Sequence, residues 1–359
     1  AHIDSPRLDL RPVPLFEKDG LAYFRTHYYG GIRKYQWPTI PLALHGVVCR
    51  EDGTTVTITI GENDEDPVFT ITDLLPHLGG EQGRKPLNEA VPGETLNLLV
   101  GSRPIGDSED KDRVKLHVMK RLHDKYGITE SDFASAELEA VPAVEAVDIG
   151  IDGSLIGSYG HDDRVCGYAA LRAVLDIETP DKTAVCVLAD KEEIGSMGVT
   201  GMQSAAFDAF MSDLCDGQNV PLKACFENAF CLSADVTAAY DPNFADVYEK
   251  KNAAFVNYGV GICKYTGARG KSGSSDANAE TVAYVRAVLD GAGVRWQICE
   301  LGKIDAGGGG TVAQYMANRN IATLDAGVPV LSMHAPFEVV AKVDCYEMYR
   351  ACKALYEAR

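Results

Sequence analysis

The pattern of apolar and polar positions divides the chain into two parts that predict different structures. From about residue 152 onwards, short apolar segments alternate with stretches whose apolar residues recur every three or four positions, as on one face of a helix. We expect strands at 183–189, 229–233, 294–301 and 328–333, and helices at 161–176, 201–215, 274–290, 311–318 and from about 344. This alternation predicts an α/β fold with a mostly parallel sheet flanked by helices.

In residues 10–151 apolar and polar side chains alternate with a period of two instead. The clearest case is the segment Val-Thr-Ile-Thr-Ile at 56–60, which lies between glycine-containing turns and alternates as a strand does. Further strand-like segments lie at 39–49, 67–74 and 136–151, and only 110–126 has a helical pattern. We therefore expect a β-rich domain at 10–151, inserted into an α/β domain made of residues 1–9 and 152–359.

Composition and charge exclude several classes of partner. The chain of 359 residues has 34 basic and 52 acidic side chains and a formal net charge of -18, which argues against nucleic acid and anionic lipid as partners. No apolar run is long enough to cross a membrane. The ten cysteines are scattered without a CxxC pair, so we expect free thiols in the cytoplasm. Because the chain starts at Ala1 without a methionine or a leader, we expect its upstream segment to be missing.

Acidic and imidazole side chains recur at the ends of the predicted elements. In open α/β sheets ligands gather outside the carboxyl ends of the strands, so chemistry is expected at these positions. An isolated Glu-Glu pair is more typical of a charged surface turn, and a lone histidine at a strand end is more often structural. The recurrence favours a shared site, whose candidates are His2, Asp162 or Asp163, the pair Glu192 and Glu193, Asp235, and His334.

The types of these side chains indicate a metal centre. Carboxylates and two imidazoles without thiolates suit a pair of divalent ions, with Zn²⁺, Mn²⁺ and Co²⁺ as the candidates. Asp4 follows His2 at a spacing that lets its carboxylate accept the second ring N–H of His2 and so fix the tautomer. Two adjacent carboxylates in a turn point in different directions, so Glu192 and Glu193 can divide ligation and proton transfer between them.

Six motifs taken together resemble the M18 family of metallo-aminopeptidases, which includes aspartyl aminopeptidase, and in particular its bacterial type. They occur in the family's order and span nearly the whole chain: Ala1-His2-Ile3-Asp4-Ser5-Pro6, Tyr29-Gly30-Gly31, Asp162-Asp163-Arg164, Asp190-Lys191-Glu192-Glu193-Ile194-Gly195-Ser196, Ser233-Ala234-Asp235 and Ser332-Met333-His334. The resemblance implies the zinc-peptidase, phosphorylase/hydrolase-like α/β fold and release of the N-terminal residue from peptide substrates.

The resemblance also implies a role for each candidate. His2 and Asp235 would hold one metal ion, Glu193 and His334 the other, and Asp162 would bridge the two. Asp162 is preferred to Asp163 because the family has Asp followed by Asn there, and Asp163 falls at the Asn position. Glu192 would be the general base, and a metal-bound hydroxide would attack the first peptide carbonyl.

Further implications concern substrate and assembly. His77 corresponds to a histidine that the inserted domain offers to a neighbouring subunit's site, and Lys264 to a lysine near the bound substrate. The family commonly forms a homo-oligomer, a tetrahedral dodecamer, in which the insert helps to assemble subunits and narrows access to the sites. Lys191 replaces the family's usual histidine, and no histidine follows Asp235 closely, so a preference for acidic or for neutral N-terminal residues stays open.

Two other functions remain compatible with the sequence. One is a different two-metal amidohydrolase on the same scaffold, such as a deacylase or a carboxypeptidase. The other is a catalytically silent assembly protein that keeps the fold without the activity.

Overall fold

The computed structural model describes residues 1–106 and 111–358 and divides the chain into two compact units. The α/β unit consists of Ala1–Ser5 and Ala146–Arg359, and the inserted unit is Pro6–Glu145. These boundaries differ by a few residues from the expected 9/10 and 151/152. The reason is that the first strand of the insert begins at Arg7, whereas Val147–Ile149 pairs with a strand of the α/β unit.

The inserted unit is built on one antiparallel sheet. Its strands are β1 (Arg7–Lys18), β2 (Leu21–Tyr29), β3 (Leu42–Cys49), β4 (Thr55–Ile60), β5 (Leu98–Gly101) and β6 (Ala136–Pro142), in the order β4-β3-β6-β1-β2-β5. Two helices accompany the sheet, α1 (Leu87–Ala90) and α2 (Arg113–Tyr126). The expected strand at 67–74 is reduced to isolated bridges at Phe69 and Thr70. Residue 110, where the helix was expected to begin, lies outside the described residues.

The core of the inserted unit follows from the period of two in its sequence. On β4, Ile58 and Ile60 are buried whereas Thr55 and Thr57 are exposed, because successive side chains of a strand point to opposite faces. The buried face packs with Phe24 and with Val114 of α2 in one hydrophobic cluster. For β4 the alternating pattern therefore predicted both the strand and the face that it buries.

The α/β unit contains two sheets and six helices among its described residues. Its strands are β7 (Val147–Ile149), β8 (Leu155–Ser158), β9 (Phe230–Ala234), β10 (Thr237–Ala238), β11 (Val260–Cys263), β12 (Trp296–Ile298), β13 (Ala322–Gly327), β14 (Pro329–Leu331) and β15 (Glu338–Ala341). Its helices are α3 (His161–Leu175), α4 (Ala206–Gln218), α5 (Leu222–Glu227), α6 (Ala279–Gly291), α7 (Ala313–Ala317) and α8 (Lys342–Glu357). The sheets have the orders β10-β14-β15-β8-β7 and β12-β11-β13-β9. None of the helices in the described ranges is long and apolar enough to cross a bilayer.

The expectation of a mostly parallel sheet does not hold, because both sheets of this unit are mixed and the sheet of the insert is antiparallel. Parallel pairs are β9 with β13, β10 with β14 and β11 with β12, while β11 with β13, β14 with β15, β15 with β8 and β8 with β7 are antiparallel. A short turn joins β14 to β15, and such a turn reverses the chain. The expected strand at 183–189 carries one bridge, between Ala189 and His2.

Replacement of Gly46 by alanine is expected to destabilise the inserted unit. Gly46 lies in β3 with φ +132°, and an added Cβ would overlap the carbonyl oxygen of Glu137 on β6. Overpacking of this kind costs about 1–3 kcal/mol, measured as a lower urea midpoint of the full chain. Gly53→Ala is the control, since Gly53 also has positive φ but no atom within 4 Å of the added Cβ. Equal losses in the two variants would contradict the role of the β3–β6 contact.

Candidate metal centre

The first residues of the chain lie beside the segment that precedes the Glu192 turn. The amide of Ile3 donates to the carbonyl of Ala189 at 2.8 Å, and the amide of Ala189 donates to the carbonyl of Ala1 at 2.9 Å. Three residues after Ala189 the chain forms the 3-10 turn Glu192–Ile194. This pairing therefore brings His2 next to Glu192 although the two are far apart in sequence.

The other candidate residues come from the ends of further elements. Asp162 lies at the start of α3, where Asp162 and Asp163 have non-helical backbone angles and are joined by a cis peptide bond. The Ser5 hydroxyl donates to the Asp162 carbonyl at 2.7 Å. Asp235 follows β9 directly, and His334 lies in the turn between β14 and β15.

Asp162 faces two imidazoles with its two carboxylate oxygens. Its Oδ1 lies 3.2 Å from Nε2 of His2, and its Oδ2 lies 3.2 Å from Nε2 of His334. Asp162 is almost completely buried. One carboxylate is thus shared between two histidines that come from opposite ends of the chain.

Each histidine also faces an acid of its own. Nε2 of His2 lies 3.8 Å from Oδ1 of Asp235, and Nε2 of His334 lies 3.4 Å from Oε2 of Glu193. On the other side of the His2 ring, Nδ1 lies 3.0 Å from the carbonyl oxygen of Asp4 and 3.2 Å from its Oδ1. Contact with Asp4 leaves Nε2 of His2 directed at Asp162 and Asp235, as a ligating nitrogen requires.

These side chains form three overlapping sets of potential metal ligands. Within each set the ligand atoms lie within 4.8 Å of one another: His2, Asp162 and Asp235; Asp162, Glu193 and His334; and His2, Glu192 and Glu193. The first two sets share Asp162 and use each of the other ligands once. In the third set Oε2 of Glu192 lies 3.9 Å from Nε2 of His2, almost the same distance as Oδ1 of Asp235 in the first set.

The concentration of acids shifts the pKa values throughout the cluster. Burial raises the pKa of Glu192 to about 7 and that of Glu193 to about 8, and the neighbouring Asp162 carboxylate adds to both shifts. Burial also raises the pKa of Asp235 well above its usual range. For Asp162 burial acts in the same direction, but the close imidazoles of His2 and His334 outweigh it and hold the pKa at about 2.

The pKa of His2 is raised above its ordinary value for a related reason. Burial alone would lower it, but the carboxylates of Asp162 and Asp4 beside the ring favour the protonated form more strongly. The cluster thus attracts positive charge, and a divalent cation would lower the pKa values of the acids that it contacts.

The donors fit a divalent metal ion. Oε1 of Glu193 and Oδ1 of Asp162 are buried, and neither has a partner with hydrogen-bond geometry among the described residues. Buried carboxylate oxygens without such a partner are costly unless a cation satisfies them. Carboxylate oxygens and imidazole nitrogens without sulfur are donors that zinc accepts.

The structure brings together all the sequence-predicted ligands, Glu192 and Asp4. The ammonium group of Lys264 pairs with Asp276 at 2.5 Å, and Lys271 pairs with the same carboxylate at 2.9 Å. His77 belongs to the inserted unit, where its side chain is exposed. Their contact with substrate stays a prediction.

One buried acid beside the centre was missed from the sequence. Glu338 begins β15 and accepts the amide N–H groups of Asp162 at 3.0 Å and His334 at 2.7 Å. The sequence contains one indication of it, a glutamate at the head of the apolar segment Glu-Val-Val-Ala. A charged side chain that is buried in a strand needs a polar partner.

Comparison with known proteins places the chain among zinc metallopeptidases. The sequence profile described as Aminopeptidase I zinc metalloprotease (M18) matches residues 1–356. A probable M18 family aminopeptidase 1 of Clostridium acetobutylicum is 50% identical over 351 residues, which are 97% of this chain and 76% of the relative. A probable M18 family aminopeptidase 1 of Thermotoga maritima is 48% identical over 362 residues, which are 99% of this chain and 79% of the relative.

Solved structures agree with these sequence matches. The crystal structure of an M18 family aminopeptidase from Thermotoga maritima superposes with a TM-score of 0.96 at 48% identity, covering 99% of this chain and 80% of that one. An S. cerevisiae mApe1 dodecamer, at 20% identity and a TM-score of 0.77, covers 99% of this chain and 78% of its own and shares the fold.

The class is therefore that of zinc-dependent peptidases, and the family can be stated as well. The chain belongs to the M18 aminopeptidases, metallo-hydrolases that act on peptides. The resemblance in the sequence motifs is confirmed.

Proposed function

We propose that the cluster holds two divalent metal ions. Zinc is the first candidate because the family consists of zinc metalloproteases, and Mn²⁺ and Co²⁺ are the alternatives. His2 and Asp235 would hold one ion, Glu193 and His334 the other, and Asp162 would bridge them. The observation that carries the proposal is the placement of the two Asp162 oxygens, each 3.2 Å from a different imidazole. Bridging by a buried carboxylate satisfies both of its oxygens at once.

Two bound zinc ions would act as Lewis acids. They would lower the pKa of water towards neutrality and stabilise the negative charge that develops on a carbonyl oxygen. The protein's own part is to hold the ligands, to align the peptide and to move protons. His2 and Asp162 are almost completely buried, which keeps bulk water from competing for their donor atoms.

Glu192 is the group placed to move the proton. Its side chain is 15% exposed and that of Glu193 is 4% exposed, so Glu192 is the more accessible of the two glutamates in the turn. Its backbone amide donates to Oδ1 of Asp4 at 3.1 Å, which fixes the turn that carries it. Glu192 would take a proton from the attacking water and return it to the leaving amine as the first peptide bond breaks.

Replacement of Glu192 by glutamine is expected to lower kcat by a factor of about 10² to 10⁴, because the amide cannot accept the proton. Zinc content and KM should stay at the wild-type values, since Glu192 is not among the five proposed ligands. Aminoacyl substrates and metal analysis of the same samples provide both measurements. Asp190→Asn is the matched control, because Asp190 precedes the same turn and pairs instead with Thr200 and Lys191.

Two results would contradict the assignment of Glu192. Near-wild-type turnover in Glu192→Gln would rule out Glu192 as the base, and loss of zinc would identify it as a ligand, as the set of His2, Glu192 and Glu193 allows.

A comparison of each substrate with its N-acetylated form tests whether cleavage needs a free N-terminus. The wild-type enzyme should leave the acetylated form intact. Equal cleavage of both forms would point instead to an endopeptidase or deacylase.

The substrates would be peptides with a free N-terminus, and the preference between acidic and neutral first residues stays open. Lys264 is the proposed contact, yet it shares Asp276 with Lys271. Two ammonium groups and one carboxylate leave one positive charge in this group. That charge is one candidate for a local cation that would offset the formal net charge of -18, beside Arg269 and Lys303.

We also propose a homo-oligomer, a dodecamer as in the S. cerevisiae mApe1 structure. Support comes from the loop around His77, where Leu74, Leu75 and Leu78 are 54%, 50% and 69% exposed. Exposed leucines in such a group are typical of a contact surface. The insert would then assemble subunits and bring His77 to a neighbouring site. Light scattering of the purified protein measures the mass directly, and a monomer would contradict this assembly.

The proposed location is the cytoplasm, with neither nucleic acid nor membrane as a partner. All ten cysteines are free thiols, including Cys263 and Cys299, whose sulfur atoms lie 3.0 Å apart. Free thiols persist in a reducing compartment.

A further inference from the structure

Three buried carboxylates stand behind the proposed ligands, and each accepts two backbone N–H groups. Asp4 accepts the amides of Glu192 at 3.1 Å and Glu193 at 3.2 Å. Asp163 accepts those of His2 at 3.1 Å and Val236, which follows Asp235, at 3.2 Å. Glu338 accepts those of Asp162 and His334. We call Asp4, Asp163 and Glu338 the carboxylate frame.

The frame reaches every segment of the chain that carries a proposed ligand. It binds the amides of His2, Asp162, Glu193 and His334 themselves, and for Asp235 the amide of the next residue. Its three members are 5% exposed or less. Because a buried carboxylate is costly unless hydrogen bonds satisfy it, the six N–H contacts fix the frame and the ligand segments together.

Glu338 connects two residues of the same ligand set. β15 pairs with β8 so that Glu338 lies opposite Ser158, just before the chain turns into α3 and reaches Asp162. On its other side Glu338 lies four residues after His334 and accepts the His334 amide at 2.7 Å. One side chain thus sets the spacing between the backbones of Asp162 and His334.

The backbone of His334 needs such a partner. Its φ is +64°, in the left-handed region, which costs about 1–2 kcal/mol for a residue other than glycine. The N–H bond to Glu338 opposes relaxation of this turn. Relaxation would carry the imidazole away from Asp162 and Glu193.

We propose that Glu338 is a positioning residue, which with Asp4 and Asp163 holds the ligand backbones in the metal-binding arrangement. The inference rests on the proposed function, since it assumes that the five ligands bind zinc. Glu338 acts through the amides of Asp162 and His334 and touches neither ion nor substrate.

The α/β unit contains another buried carboxylate that accepts two backbone N–H groups, but its partners are not in a segment that carries a proposed ligand. Asp344, on α8, is fully buried and accepts the amides of Asn257 and Gly259, both at 2.7 Å. It therefore supplies a matched control, because its loss removes an equivalent pair of buried hydrogen bonds without reaching a ligand segment.

The test compares Glu338→Gln with Asp344→Asn in the full chain. Glutamine keeps the size of the side chain but opposes one of the two N–H donors with its own NH₂ group. The dissociation constant for zinc, measured by competition with a chromophoric chelator, should rise about 10- to 100-fold in Glu338→Gln. It should stay within about twofold of wild type in Asp344→Asn, because distant sites act independently.

A second measurement separates positioning from stability. The visible spectrum of the cobalt-loaded protein reports ligand geometry, so it should change in Glu338→Gln and not in Asp344→Asn, although both variants should unfold at lower temperature. If Glu338→Gln does not fold, Glu338→Asp keeps the charge on a side chain too short to reach both amides. It should raise the zinc dissociation constant by about tenfold.

The outcomes that overturn the inference differ from those that overturn the proposed function. Unchanged zinc affinity and cobalt spectrum in a folded Glu338 variant would remove its positioning role, while the wild-type metal site would stand. An equal loss of zinc affinity in Asp344→Asn would show that the effect of Glu338→Gln comes from lower stability of the fold and not from positioning. A wild-type chain that binds no zinc would overturn the proposed function and this inference with it.

Discussion

The contact of Asp162 with two imidazoles is the constraint around which the α/β unit is arranged. Its two oxygens face His2 and His334 at equal distances, and Asp235 and Glu193 complete a set on either side. Such a concentration of buried acids is unfavourable by itself, which is why the pKa values of Glu192 and Glu193 rise towards neutrality. A cation would offset that cost, so the concentration of acids that is unfavourable by itself would favour the binding of a metal ion.

The candidate side chains come together because the segment of residues 1–4 and the ends of several strands lie in one place. Ala1 to Asp4 lie beside the segment before the Glu192 turn, and Asp235 and His334 follow strands of two different sheets. Loops and turns at the ends of elements leave backbone N–H groups without partners in regular structure. Here buried carboxylates accept N–H groups of the irregular segments that carry the proposed ligands.

Much of this could be predicted from the sequence, and what could not has physical reasons. Period-two alternation located β3, β4 and β6 of the insert but not β1, β2 or β5. The candidate ligands were singled out because each stands at the end of an element and matches a family motif. Strand direction was not predictable from periodicity, since a strand has the same pattern in parallel and antiparallel pairs. β15 was missed because it has only four residues. Glu338 was missed because its partners are backbone amides, which every residue except proline has and which leave no mark in the sequence.

We propose that this centre holds two ions joined by Asp162, and anomalous diffraction tests that arrangement. Crystals of the zinc-loaded protein should be measured above and below the zinc absorption edge. Two anomalous peaks are expected, one against His2 and Asp235 and one against Glu193 and His334, with an Asp162 oxygen bound to each. A single peak, or two peaks without Asp162 between them, would rule out the bridged pair of ions.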